Sequence, residues 1–165
     1  MKKITKINDL YSESLSCIYK KDTEKLNNFI PNIDVLNYQD KDEKTLLFHA
    51  ILEKNIDVVD ILLKKGAKVN IKDKNGWTPL HYAVNEHLME ISKLLLNYGA
   101  DVNSKDSYGN SVIWRSVFAS KGRGEIIELL LLNDANPNIE NNSGISALSL
   151  AENIGNYDIK QFFKS

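Results

Sequence analysis

The sequence predicts an all-α fold built as a solenoid, in which helix-turn-helix units stack in a row. The first observation is self-similarity, because Asp40, Asp73 and Asp106 follow one another at intervals of 33 residues and Asn141 follows after 35. The second is that apolar residues within each interval recur at helical spacing. Repeats of this length indicate units that bury their apolar faces only by stacking on their neighbours.

Other positions keep the same register along the chain. Small hydroxyl residues form one column, aliphatic residues a second and asparagines a third. These columns are Thr45, Thr78, Ser111 and Ser146; Leu47, Leu80, Ile113 and Leu148; and Asn37, Asn70, Asn103 and Asn138. Several columns in one register predict units of the same structure, which we expect to be joined by β-turn or hairpin loops.

Residues 73–105 show how one unit begins. The Thr78 hydroxyl suits the position that caps a helix, and Pro79 suits the first helical position, where its missing N–H costs nothing. Leu80, Ala83 and Val84 then give a short first helix a narrow apolar face. The segment therefore predicts a helix that starts directly after the turn.

The same unit ends with a second helix. Ile91, Leu94 and Leu95 recur at helical spacing, and Gly99 follows where a left-handed residue ends a helix. A turn, two short helices and a glycine stop account for the whole interval.

Residues 75–83 read Asn-Gly-Trp-Thr-Pro-Leu-His-Tyr-Ala and contain the full signature Gly-x-Thr-Pro-Leu-His-x-Ala. In this signature and in its period of about 33 residues the chain resembles the ankyrin repeat family. The resemblance implies an ankyrin solenoid that works as a protein-binding scaffold without an enzymatic site. It also implies that contacts come from the turn tips and the exposed sides of the first helices.

We expect one domain that spans the chain and consists of three full repeats between two capping repeats. The predicted units are 1–39 (N-terminal cap), 40–72, 73–105, 106–140 (with a two-residue insertion) and 141–165 (C-terminal cap). The copies are not identical. Glu43 stands where the turn glycine belongs, Trp114 takes the place of the signature histidine, and residues 120–124 lengthen the loop between the helices of the fourth unit.

The family's contact positions, carried over residue by residue, predict the residues that bind a partner. They lie in the second, third and fourth units, at turn tips and on first helices. The predicted set is Lys44, Lys74, Asn75, Trp77, Tyr108, Asn110, Trp114, Arg115 and Phe118. Trp77, Tyr108 and Phe118 are either binding anchors or side chains that pack on the next repeat.

Charge limits the classes of partner. The chain has 21 basic and 22 acidic residues and a formal net charge of −1, which provides no general attraction for nucleic acid or an anionic membrane. We expect neither as a partner. Residues 125–158 carry six acidic residues and no Lys or Arg. This stretch indicates a partner that is basic toward the C-terminal third, or else an ordinary solvated surface.

Neither a cofactor, a metal site nor a catalytic group is expected. His49, His81, His87 and Cys17 do not form a metal-ligand spacing, and His49 and His87 have no evident partner in the sequence. His81 resembles the family's structural histidine, whose ring hydrogen-bonds the turn backbone. Residues 122–124 (Gly-Arg-Gly) lack the Lys-Ser/Thr of a phosphate loop and are more simply the inserted loop.

The sequence thus favours a non-enzymatic module that binds a protein partner through a concave face. The alternatives are an immunity or inhibitor protein that neutralises a toxin or enzyme, and a small bacterial effector. We expect a monomer. A cytoplasmic location is expected because Cys17 is the only cysteine and no long apolar stretch follows the basic start Met1 to Lys6.

Overall fold

The computed structural model describes residues 2–29, 33–153 and 158–163. In these ranges the chain forms short helices joined by turns and no β-sheet, with one isolated antiparallel bridge between Lys105 and Ser111. The helices are α1 (Lys2–Lys20), α2 (Thr23–Phe29), α3 (Ile33–Leu36), α4 (Leu46–Leu52), α5 (Ile56–Lys64), α6 (Pro79–Asn85), α7 (Met89–Asn97), α8 (Val112–Ala119), α9 (Glu125–Leu131), α10 (Ala147–Asn153) and the 3₁₀ helix Ile159–Phe163.

The helices form two layers. The first helices α1, α4, α6, α8 and α10 pack in chain order into one layer, and α2, α5, α7, α9 and the 3₁₀ helix pack in the same order into the other. Within each unit the two helices also contact each other. This arrangement confirms the all-α solenoid predicted from the repeat. None of the described helices is long and apolar enough to cross a bilayer.

The apolar faces predicted for the third repeat form the core. Leu80, Ala83 and Val84 are fully buried on α6, and Ile91 and Leu95 are buried on α7. Because the buried residues of each unit lie between equivalent helices of its neighbours, the core is a continuous row along the stack.

A reciprocal pair of hydrogen bonds starts α6. The Thr78 Oγ1 accepts the backbone N–H of His81 at 3.4 Å, and the His81 Nδ1 accepts the backbone N–H of Thr78 at 3.1 Å. The ring therefore bonds the backbone next to the turn, which is the structural role expected of His81. Burial lowers the pKa of His81 to about 4, and this effect outweighs the opposing effects of the Asn110 backbone and Asp106.

Each turn tip is organised by the side chain that opens it. The side-chain oxygen accepts the backbone N–H groups of the residues two and four positions further on, at 2.8–3.0 Å in every copy. The residues that open the four turns are Asp40, Asp73, Asp106 and Asn141. An acceptor that satisfies two turn N–H groups holds the loop in one conformation.

Neighbouring tips are joined by backbone hydrogen bonds. The N–H of Lys74 donates to the carbonyl of Asp42 at 3.3 Å, and the N–H of Ser107 donates to that of Asn75 at 3.0 Å. The N–H of Asn142 likewise donates to the carbonyl of Tyr108 at 3.0 Å.

Behind the tips, the asparagine column noted in the sequence makes a second ladder between repeats. The side-chain oxygens of Asn37, Asn70 and Asn103 each accept a backbone N–H of the next repeat at 2.8 Å.

The fourth turn residue is left-handed in all four copies, with φ of +75° at Gly76, +77° at Gly109 and +72° at Gly144. Glu43 adopts the same conformation with φ of +58°, so the second repeat keeps its turn without the glycine. A Cβ added to Gly76 would lie 2.6 Å from the backbone nitrogen of Ser107, whereas one added to Gly144 would meet no atom within 4 Å.

The inserted loop of the fourth unit ends at Gly124, which precedes α9. A Cβ on Gly124 would lie 2.1 Å from a ring carbon of Phe162 in the 3₁₀ helix. The glycine is required because this ring packs against the backbone.

The division into repeats and caps stays a prediction. Cys17 and Ile18 on α1 are buried at the positions equivalent to Ala50 and Ile51 on α4. Parts of both proposed caps, residues 1, 30–32, 154–157 and 164–165, lie outside the described residues.

Gly76→Ala should destabilise the fold about twice as much as Gly144→Ala. Both variants place a Cβ on a left-handed residue, which costs about 1 kcal/mol, but only the first must also push the Ser107 backbone away. Urea denaturation of the full chain measures both free energies of unfolding. Equal losses for the two variants would show that the contact between tips contributes nothing.

Acid should destabilise the fold through His81. The folded pKa of about 4 lies below the ordinary value of 6.5, so the stabilisation is present above pH 6.5 and is lost as the pH falls toward 4. From about pH 7 to about pH 5 we expect the free energy of unfolding to fall by about 2 kcal/mol. His81→Gln, which keeps the capping pattern and does not titrate, should remove this slope. An unchanged slope in that variant would assign the effect to other groups.

Candidate protein-binding surface

Two adjoining clefts lie where the third and fourth repeats meet. One has a volume of about 420 Å³ and the other about 400 Å³, and both are lined by Asn85 and Glu86. We call the two together the groove. Its residues are Leu52, Asn75, Trp77, Tyr82, Asn85, Glu86, His87, Tyr108, Arg115, Phe118, Ala119, Lys121 and Arg123.

Trp77 forms part of the groove wall. Its ring makes an edge contact with Tyr82 at 4.9 Å, and the guanidinium of Arg115 lies over it at 4.6 Å from the ring centre. Trp77 is half-buried. It therefore packs on the next repeat and also lines the groove, and its role as a binding anchor stays a prediction.

Arg115 is fixed by an ion pair with Asp106. The Nη2 atom lies 2.8 Å from Asp106 Oδ2, and the Asp106 side chain is completely buried. Burial alone would raise the pKa of Asp106, but bonds from Arg115 and Asn110 outweigh it and lower the pKa below its usual value. The same guanidinium lies 5.4 Å from the Trp114 ring and 5.8 Å from the Phe118 ring. One cation thus lies close to three aromatic rings.

This ion pair has equivalents in the preceding repeats. Asp73 accepts the Tyr82 hydroxyl at 2.7 Å, and Asp40 pairs with His49 at 2.9 Å. In every case the partner lies nine residues after the aspartate. That spacing is visible in the sequence and points to Tyr82, which the predicted set of binding residues does not include.

Tyr108 and Phe118 are the exposed aromatics of the groove. Tyr108 is 71% exposed at a turn tip and Phe118 is 61% exposed on α8. The Phe118 ring stacks on Trp114, with centres 5.4 Å apart and planes 11° apart. Both rings are large apolar groups in contact with water, which is typical of binding anchors.

Asn110 differs from what the sequence suggested. It is 6% exposed, and its side chain donates to Asp106 at 3.1 Å and accepts from Asn141 at 2.8 Å. A side chain committed to the turn is not accessible to a partner. We therefore leave Asn110 out of the proposed contact surface and assign it to turn stability.

Lys44 and Lys74 do not themselves line the groove. The Lys44 ammonium sits 5.2 Å from the centre of the Tyr82 ring, and Lys74 forms an ion pair with Asp42 at the preceding tip. Asn75 does line the groove, and its carbonyl accepts the N–H of Ser107. The predicted residues thus divide into a central group around Trp77 and a basic group at the tips of the second and third repeats.

His49 and His87 have partners that the sequence did not reveal. His49 bridges Asp40 and the Tyr19 hydroxyl, each at 2.9 Å, and so joins α1 to α4. His87 Nε2 lies 2.6 Å from the carbonyl oxygen of Ala119 and donates to it. Both side chains connect adjacent repeats, which sequence spacing within one repeat does not show.

The His49 cluster does not have the properties of an activated nucleophile. Burial first, and then the charges of Glu53 and Asp40, raise the pKa of Tyr19, so its hydroxyl stays protonated at neutral pH. In the part of the chain that the structure describes, no group of three His, Cys, Asp or Glu side chains could hold a metal ion.

Arg115→Phe should destabilise the fold by about 2 kcal/mol more than Arg115→Tyr, because only the tyrosine can donate to buried Asp106 as Tyr82 does to Asp73. Urea denaturation measures this difference in the free energy of unfolding, provided that the two variants have the same m-value. If the two variants are equally stable, the bond to Asp106 does not hold the turn.

Comparison with known proteins identifies the repeat. A family model described as ankyrin repeats, in three copies, matches residues 15–106, more than half of the 165-residue chain. The match ends at Asp106, before Tyr108, Arg115 and Phe118. No curated protein matches this chain. Ankyrin repeats are generally protein–protein interaction modules. The family match and the stacked helix pairs agree, and the chain belongs to the ankyrin repeat family.

Proposed function

We propose that the chain binds one partner protein in the groove and has no enzymatic activity of its own. The observation that carries the proposal is the pair of exposed rings, Tyr108 and Phe118, beside the ordered cluster of Trp77, Trp114 and Arg115. Trp, Tyr and Arg are the residue types that most often dominate binding energy at protein interfaces.

The cluster is ordered before any partner arrives. Asp106 holds Arg115 at 2.8 Å, and Arg115 in turn lies over the Trp77 ring. A prearranged surface loses less conformational entropy on binding, so more of the contact energy contributes to affinity. The groove is open rather than enclosed, which suits a segment or loop of a protein better than a small molecule.

A narrower form of the proposal is that the chain is an immunity or inhibitor protein that neutralises a toxin or enzyme, or a small bacterial effector. The supporting observation is the acidic stretch of the C-terminal third, where Glu125, Glu128 and Asp134 are exposed. These residues would steer a basic enzyme toward that end of the solenoid. Loss of the captured enzyme's activity at equimolar chain would support inhibition, whereas unchanged activity would favour an adaptor.

The double variant Tyr108→Ala/Phe118→Ala should weaken binding of the partner by about 100-fold, because two exposed anchors are truncated. The partner is first identified by affinity purification from the native host, and its dissociation constant is then measured by calorimetry. Both rings are largely exposed, so helicity and stability should remain close to those of the unmodified chain.

Leu132→Ala is the matched control. Leu132 is 84% exposed just after α9 and does not line the groove. Its truncation should leave the dissociation constant unchanged. Equal affinities of the double variant and the unmodified chain would show that the partner binds elsewhere.

A further inference from the structure

The charges of the groove differ from those of the chain as a whole. Three cations line it, Arg115, Lys121 and Arg123, against one carboxylate, Glu86. Glu86 is already paired with Lys54 at 3.3 Å. The chain carries a net charge of −1, so this local excess of positive charge is not a reflection of composition.

Lys121 and Arg123 belong to the inserted loop of the fourth repeat. Both are exposed, and neither makes an ion pair with any residue that the structure describes. The Arg123 Nε donates to the Ser120 carbonyl at 3.3 Å, which leaves the guanidinium's other donors for a ligand. An unpaired cation beside an apolar surface is suited to an anionic partner.

The loop is held in place at both ends. His87 bonds the Ala119 carbonyl just before it, and the ring of Phe162 packs on Gly124 just after it. The two cations therefore project from a supported segment next to Phe118, which lines the same cleft. The contacts at both ends of the loop therefore set where the two cations lie relative to the groove.

The acidic stretch of the C-terminal third does not neutralise these cations within the groove. None of its six residues lines either cleft. Glu125 and Glu128 lie on α9, in the layer of second helices, whereas the helical residues that line the groove lie on α4, α6 and α8. The chain thus presents an acidic surface and a separate basic groove.

We propose that the segment bound in the groove is acidic: it places an apolar side chain against Tyr108 and Phe118 and one or more carboxylates against Lys121 and Arg123. This inference rests on the proposed function and adds the chemistry of the partner. A single-stranded nucleic acid would also stack on aromatic rings, but it requires a continuous basic track for its phosphates. Three cations interrupted by Glu86 fit a protein segment better.

The test selects random linear peptides, displayed on phage, on the immobilised full-length chain. The enriched peptides should contain Asp and Glu together with Leu or an aromatic residue well above their frequency in the starting library. Synthetic copies of the enriched peptides are then measured by fluorescence polarisation. In the double variant Lys121→Glu/Arg123→Glu, the affinity for these peptides should fall by about tenfold or more. The affinity that remains should depend less on salt concentration than that of the unmodified chain.

The matched control is Lys64→Glu/Lys93→Glu, which makes the same change of charge on exposed lysines of α5 and α7, away from the groove. In this control variant the peptide affinities should stay within about twofold of those of the unmodified chain. Circular dichroism checks that both double variants remain folded.

The outcomes separate this inference from the proposed function. Neutral or basic enriched peptides, or acidic ones that bind both double variants equally, would overturn the acidic partner. If those peptides still depend on Tyr108 and Phe118, the proposed function stands. Peptides that are indifferent to the two rings as well, or no enrichment at all, would count against both. If an oligonucleotide binds in the groove and no acidic peptide does, the groove is assigned to nucleic acid.

Discussion

Each repeat of this solenoid is held together by the polar side chain that opens its turn. Asp40, Asp73 and Asp106 each bind two backbone N–H groups of their own loop, and Asn141 does the same in the last turn. In the first three turns the aspartate also receives a side chain from the helix that follows. That bond connects the turn to the helix that follows it. Because a repeat contacts only its neighbours, no distant core could correct an error there.

The same bond shapes the candidate binding surface in the fourth repeat. There the side chain that reaches the aspartate is Arg115, and its guanidinium also extends over Trp77 of the preceding repeat. A contact needed for stability thus orders the groove wall. In the proposed function this coupling would favour affinity, since an oriented cation and ring lose little freedom on binding.

In the fourth repeat, the residue at the position of the capping histidine contributes to the surface instead of completing the cap. Where the third repeat uses His81 to complete the helix cap, the fourth has Trp114, and only the bond from the Trp114 N–H to Ser111 remains. The Trp114 ring instead stacks on exposed Phe118. The inserted loop adds two exposed cations next to that stack. Such departures from the repeat pattern are expected where function rather than folding sets the residue.

The sequence by itself determined the repeat, the helix pairs and the left-handed Gly99, because these depend on contacts within one unit or at one fixed interval. The resemblance to the ankyrin family added the structural role of His81. Only the tertiary structure decided which polar and aromatic side chains of the turns and first helices reach water. It buried Asn110 and gave His87 a partner in the next repeat. It also separated the basic groove from the acidic stretch. The reason is that exposure and the grouping of charges depend on how adjacent units stack, and the order of residues within a unit does not specify this.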